Sequence, residues 1–180
     1  MNNVTCLDTF RAARLAPVAV EETPVRGTFG RKYDRDLNIV EIAKRVREDI
    51  KAAGFPKGLK CSVRISKFSM GQSLHVNVTA IPEGFAIVSL ASVRAEMEGR
   101  ELPGRDSSRT PAAKQIVATL EGIVAAYNRD DSDSQVDHFD TNFYSHIGVD
   151  WRLVSAQHDE MKAMLTTAYS VAPGAPSAVA

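Results

Sequence analysis

The sequence predicts an α+β fold: a small, mostly antiparallel sheet, made of a hairpin over 60–80 plus a strand near 142–153, covered by helices on one face. Three patterns predict it. Ile39, Ile42, Ala43, Val46 and Ile50 recur at helical spacing, as one apolar stripe. Residues 60–66 and 73–80 alternate between apolar and polar, the signature of half-buried strands. Thr110-Pro111 then opens a second amphipathic run, with a capping hydroxyl ahead of a proline suited to the first helical position.

Taken in order, the first helix can be capped by Asp36 or Asn38 and stopped by Gly54, with Pro56 beyond. Lys44, Arg47 and Lys51 line its polar side. In the hairpin, Cys61, Val63 and Ile65 alternate with Lys60, Ser62, Arg64 and Ser66. Leu74, Val76, Val78 and Ala80 alternate with Ser73, His75, Asn77 and Thr79, and residues 67–72 with Gly71 make the turn. One face of the pair is therefore buried, under the first helix, and the other is polar. Pro82 and Gly84 break the chain; residues 85–90 fit a strand or a helix start, 91–98 read as helix, and 99–109 form a polar loop. The helix after Thr110 buries Ile116, Val117, Leu120, Ile123, Val124 and Tyr127, and an acidic turn over 130–133 ends it. Ile147, Val149, Trp151 and Leu153 alternate with His146, Asp150 and Arg152, which predicts the third strand. Residues 155–168 make a last helix with Met161, Met164, Leu165 and Ala168 inward. The expected organisation is a flexible basic arm over 1–35, one domain over 36–168 and a disordered tail over 169–180. Within the arm, 7–15 forms one or two helical turns and 26–32 a basic loop.

The chain has 180 residues and a formal net charge of zero, which excludes a strongly basic nucleic-acid coat and an acidic mimic of DNA by bulk charge. The neutral total conceals an asymmetry. Residues 26–67 carry twelve basic and five acidic side chains, a net +7, while 68–180 carry eight basic and fourteen acidic, a net −6. Such opposed regions either mark an interaction surface or neutralise each other within one domain. Two cysteines, Cys6 and Cys61, are too few for a disulfide scaffold and fit a reducing compartment. The longest apolar run, 85–93, is far shorter than the roughly 20 residues of a membrane span, and the first residues lack a secretory pattern. The expectation is a cytoplasmic protein with no membrane contact.

Chemistry leaves few candidates. Asp131, Asp133, Gln135 and Asp137 have the spacing that begins a calcium loop, but Val136 stands where the sharp turn needs glycine and Asn142 where a bidentate glutamate belongs. The histidines, His75, His138, His146 and His158, have no zinc spacing with the cysteines; His138 or His146 beside an acid would make an acid/base pair. Cys61 alternates inward and reads as core, and no serine sits in a nucleophile elbow. No catalytic residue, metal ligand or cofactor is therefore assigned. The hydroxyl-rich turn 66–73, flanked by Arg64 and Lys67, offers amides to an anion or is an ordinary hairpin turn. The basic helix side and the polar strand face together suggest a phosphate-binding surface made of Lys44, Arg47, Lys51, Lys60, Arg64, Lys67, Phe68, His75 and Asn77. Single-strand readers add stacking aromatics to such a face; here only Phe68 is available, which disfavours base stacking.

Ile39 to Ile50, the motif Cys61-Ser-Val-Arg-Ile-Ser-Lys-Phe-Ser69, its glycine turn and Ser73 to Val78 resemble the family of large polyvalent-protein associated domains. Tyr127 to Asp133 and Asn142 to Ile147, leading to Asp150-Trp151, resemble that family's second half, so that the likeness covers roughly half of the chain. Met70-Gly71-Gln72 departs from the family's more Gly/Ser-rich turn. The resemblance implies an origin in phages or conjugative elements and carries over no catalytic residues. The leading expectation is a mobile-element accessory protein, in the cytoplasm of a bacterial host cell, that acts by stoichiometric binding. A counter-defence role would fit, as an anti-restriction or anti-CRISPR inhibitor whose partner is a host defence protein or ribonucleoprotein complex. The first alternative is a sequence-tolerant DNA/RNA-binding module, and the second an enzyme using the acids and histidines of 130–146.

Overall fold

A computed structural model describes residues 27–100, 108–132 and 140–171 of the chain. The expected turns over 7–15, Arg26, most of the loop after Gly99, the centre of the acidic segment with Asp137 and His138, and the tail from Ala172 lie outside those residues.

The described chain runs β1 (Thr28–Phe29), α1 (Ile39–Ala52), β2 (Lys60–Phe68), β3 (Gly71–Ala80), α2 (Leu90–Met97), α3 (Pro111–Ala125), β4 (Arg129–Asp130), β5 (Tyr144–Val149) and α4 (Trp151–Val171). It is a mixed α+β fold with a three-stranded sheet in the order β2-β3-β5 and a two-stranded ladder of β1 with β4.

Asn38 is the cap of α1: its side chain accepts from the amides of Val40 and Glu41, and the Glu41 carboxylate returns a bond to the Asn38 amide. Gly54, at a φ of 68°, takes the left-handed conformation that ends the helix. Thr110 accepts from the Ala113 amide to start α3 at Pro111. Between them, α1 and α3 cover one face of the sheet. Ile39, Ile42, Ala43 and Val46 meet Val63, Leu74, Val76 and Val78 of the hairpin, and Ile116, Leu120, Val124, Tyr127 and Phe143 complete this core. A second, smaller cluster joins Ile87, Val88, Val93, Ala113 and Leu165 beneath α2 and α4.

Several expectations are corrected. The third strand ends at Val149, and Trp151 and Leu153 belong to α4. The Asp150 side chain accepts from the Arg152 amide and starts the helix there, four residues ahead of the expected position. The strand also runs parallel to β3, with Val76 beside Ile147, because α2 and α3 supply a crossover long enough for a parallel return. Met164 is 64% exposed and Ala168 is exposed, so α4 turns inward through Leu165 and, in part, Met161. Residues 85–89 form neither strand nor helix; they are extended, with one bridge from Val88 to Arg109, and Gln157 of α4 satisfies their backbone. Its Nε2 donates to the Phe85 carbonyl and its Oε1 accepts from the Ile87 amide.

The described end of the expected arm makes contacts with the domain. Thr28 and Phe29 pair with Asp130 and Arg129, which puts the first residue of the expected acidic turn in a ladder. Lys32 Nζ donates to Asp49 of α1 at 2.5 Å, and the Tyr127 hydroxyl donates to the same carboxylate at 2.8 Å. Lys32 also lies over the Tyr127 ring. Burial pushes the Asp49 carboxyl up, but the bonds from Lys32 and Tyr127 outweigh it and hold it below the usual carboxylate range. Burial and the Asp49 carboxylate together push the Tyr127 hydroxyl up, and the bond to Asp49 raises Lys32.

Candidate functional site

With α1 and α3 on one side of the sheet, the other side presents three aligned rows. Register places Ser62, Asn77 and Gly148 in one row, Arg64, His75 and His146 in the next, and Ser66, Ser73 and Tyr144 in the third. Phe68 and Gly71 close the hairpin end. These are the positions opposite Val63, Ile65, Leu74 and Val76 in the two-residue alternation, and side-chain contacts join them across strands. The Phe68 and Tyr144 rings lie 6.0 Å apart between centroids, and the His75 and His146 rings stack at 4.7 Å with 20° between planes. Ser73 Oγ is 2.8 Å from His75 Nε2.

The chain builds each part of this face locally. A side chain at Gly71 would bring its Cβ to 3.0 Å from the Phe68 ring and 3.4 Å from the Tyr144 ring, so the glycine leaves the two rings room to close over the strand end. Phe143, fully buried, fixes the phase of β5 and thereby turns Tyr144 outward. Asn128 holds that strand start: its Nδ2 donates to the Phe143 carbonyl at 2.9 Å and its Oδ1 accepts from the Phe143 amide. Gln72 Nε2 donates to the Asn142 carbonyl, and an ion pair of Arg129 with Asp140 closes the loop behind.

Nine outward positions hold one arginine, two histidines, one tyrosine and no carboxylate. Phe68 is 48% and Tyr144 45% exposed, so both rings stand open to solvent on this face. Ser73, by contrast, is only 4% exposed and fixes His75 from below.

The residues expected to share one surface fall into separate places. Arg64, Phe68, His75 and Asn77 share the outward face. Lys44, Arg47 and Lys51 lie on α1, behind the sheet. Arg47 Nη2 donates at 2.7 Å to the Val63 carbonyl of the β2 edge, and with Lys51 and Lys60 it lines a groove floored by Ile50, Phe55 and Cys61. Lys67 alternates away from Arg64 and Phe68, toward the helix side. Cys61 packs half-buried against the core and burial pushes its thiol up, away from nucleophile chemistry. His146 faces His75 and not an acid, and His158 bonds Glu96 of α2 at 2.8 Å.

The hairpin by itself offers only Phe68 for base stacking. The structure corrects that count, since β5 adds Tyr144 and His146 beside it. Neither was legible as a partner of the hairpin, because the pairing joins positions about 70 residues apart through a parallel crossover. The one available signal was the outward phase of Tyr144 and His146 relative to Ile147 and Val149.

Among the described residues, no helix is long and apolar enough to cross a membrane. Comparison of the chain with protein-family models, with curated proteins and with solved structures finds no match.

Proposed function

We propose that this chain is a sequence-tolerant binding module for single-stranded nucleic acid, and that the outward face of β2, β3 and β5 is its platform. The observation that carries the reading is the exposed Phe68–Tyr144 pair on a sheet face that also bears Arg64, His75 and His146 and lacks carboxylates. Bases stack on such rings whatever their identity, and cations between them meet the phosphates. Ser62, Ser66 and Asn77 add hydrogen-bonding groups able to meet base edges or sugar hydroxyls.

Fluorescence anisotropy with a labelled oligothymidylate tests it. Micromolar or tighter, salt-dependent binding is expected. Phe68→Ala and Tyr144→Ala should each weaken it by roughly tenfold or more, the scale of one lost base stack. Absent binding, or binding indifferent to both substitutions, overturns the reading.

A mobile-element accessory protein acting on a host defence protein or ribonucleoprotein complex is the second reading. The motif likeness at 39–50, 61–78, 127–133 and 142–151 supports it. Expression in defence-positive cells under phage challenge tests it, and protection lost in Arg64→Ala is the expected outcome. Unchanged plaque counts with the wild-type protein count against it.

A further inference from the structure

The middle row of the platform places a cation and two imidazoles side by side across all three strands. Arg64 of β2 sits opposite His75 of β3, and His75 sits beside His146 of β5. The stacked rings are 4.7 Å apart, and the nearly buried Ser73 hydroxyl holds His75 by Nε2. Among the described residues of the sheet, the groups facing this pair are Arg64 from β2, Ser73 from β3 and Tyr144 from β5, with Ser62, Asn77 and Gly148 in the next row. None is acidic. The row therefore offers an anion one fixed positive charge and two imidazoles able to become positive, with no carboxylate in these rows. An anion held over the row meets a protonated imidazole more favourably than a neutral one, so its binding draws protons in with it. The spacing also suits the ligand. Tyr144 stands one row away toward the hairpin end and Phe68 two, so a base stacked on Tyr144 leaves its neighbouring phosphate over the middle row.

We propose that Arg64, His75 and His146 form a phosphodiester subsite whose occupation is coupled to proton uptake by the histidine pair. This inference rests on the nucleic-acid reading above and adds its regulation: the platform holds a strand more tightly in mildly acidic solution. Linkage sets the sign, because a ligand that binds the protonated form better gains affinity as pH falls.

Two measurements test it. Oligothymidylate affinity is read at pH 5.5 and pH 8.0 at constant ionic strength, in the wild-type chain and in His75→Gln, His146→Gln and Arg64→Gln. The wild type should bind at least about tenfold more tightly at pH 5.5, as one coupled proton allows over this range. Each histidine substitution should flatten that dependence and cost most affinity at pH 5.5, whereas Arg64→Gln should weaken binding at both pH values. Equal affinity at the two pH values, or an unchanged pH dependence in both histidine variants, overturns the coupled subsite and leaves the nucleic-acid reading standing. The second measurement separates the subsite from stacking. Dimethyl phosphate, a monoanion throughout this range, is titrated at pH 5.5 while the imidazole C2-proton resonances are followed. Shifts at His75 and His146 that are lost in Arg64→Gln support the subsite even if no oligonucleotide binds. Resonances that do not move overturn it.

Discussion

Asp49 shows how one carboxylate organises residues far apart in the chain. It accepts from Lys32 and from Tyr127, and so ties the N-terminal segment and the end of α3 to α1. Its folded-state titration lies below its unfolded value, so its contribution to stability is present above about pH 4 and is lost as pH falls through the lowered value. The raised titrations of Lys32 and Tyr127 place their contributions below about pH 10, lost as pH rises further. Asp49→Asn should therefore flatten the acid limb of the stability profile, measured as urea midpoint against pH between about pH 2 and 6. A wild-type acid limb in that variant contradicts the clamp. The candidates of the functional face differ in how legible they were. Arg64, His75 and Asn77 followed from strand alternation alone, a local rule. Arg47 did not: its position on the helix is right for a free cation, but the unpaired Val63 carbonyl of an edge strand takes its guanidinium.

The hairpin and α1 form the best-determined pair of elements. Capping, the apolar stripe and the left-handed stop all act within a few residues, and each appears where local chemistry puts it. At the hairpin end, Gly71→Ala tests whether the platform depends on that turn. The added methyl meets the Phe68 ring, which is half-exposed and free to swing outward. Stability should change by less than about 1 kcal/mol, while oligothymidylate affinity falls toward that of Phe68→Ala. A variant that keeps wild-type affinity shows that the ring pair is not the stacking surface. β5 and α4 were harder to read. Ile147, Val149, Trp151 and Leu153 keep a period of two across a real boundary, because the first turn of a helix can also place apolar residues two apart. Asp150, whose side chain accepts from the Arg152 amide, is the physical stop. The inward face of α4 also differs from the stripe in its sequence. Met161, Met164, Leu165 and Ala168 fit one helical stripe, yet the second cluster is small and takes chiefly Leu165.

For the molecule as a whole, the core between the sheet and the pair α1 and α3 is the main source of stability. Leu74 lies at its centre and is fully buried. Leu74→Ala should cost about 2–5 kcal/mol, seen as a lower urea midpoint with an unchanged slope. A cost below about 1 kcal/mol would mean that the sheet does not pack as described. The charge distribution also takes on a narrower meaning. Several of the basic residues of 26–67 are divided by the sheet between a helix-side groove and the outward face, and Lys32 is paired with Asp49. Only Arg64 of that set stands in the middle row, so the run of positive charge in the sequence is not one patch. The sequence by itself determined the α+β class, α1, α3, the hairpin and which of its faces is polar, because caps, turns and two- or 3.6-residue periods act over short separations. The tertiary structure alone decided that β5 lies parallel beside β3, and with it that Tyr144 joins Phe68 and His146 joins His75. That pairing depends on burying Phe143, Ile147 and Val149 under helices distant in the chain, and no local pattern encodes a partner so far away.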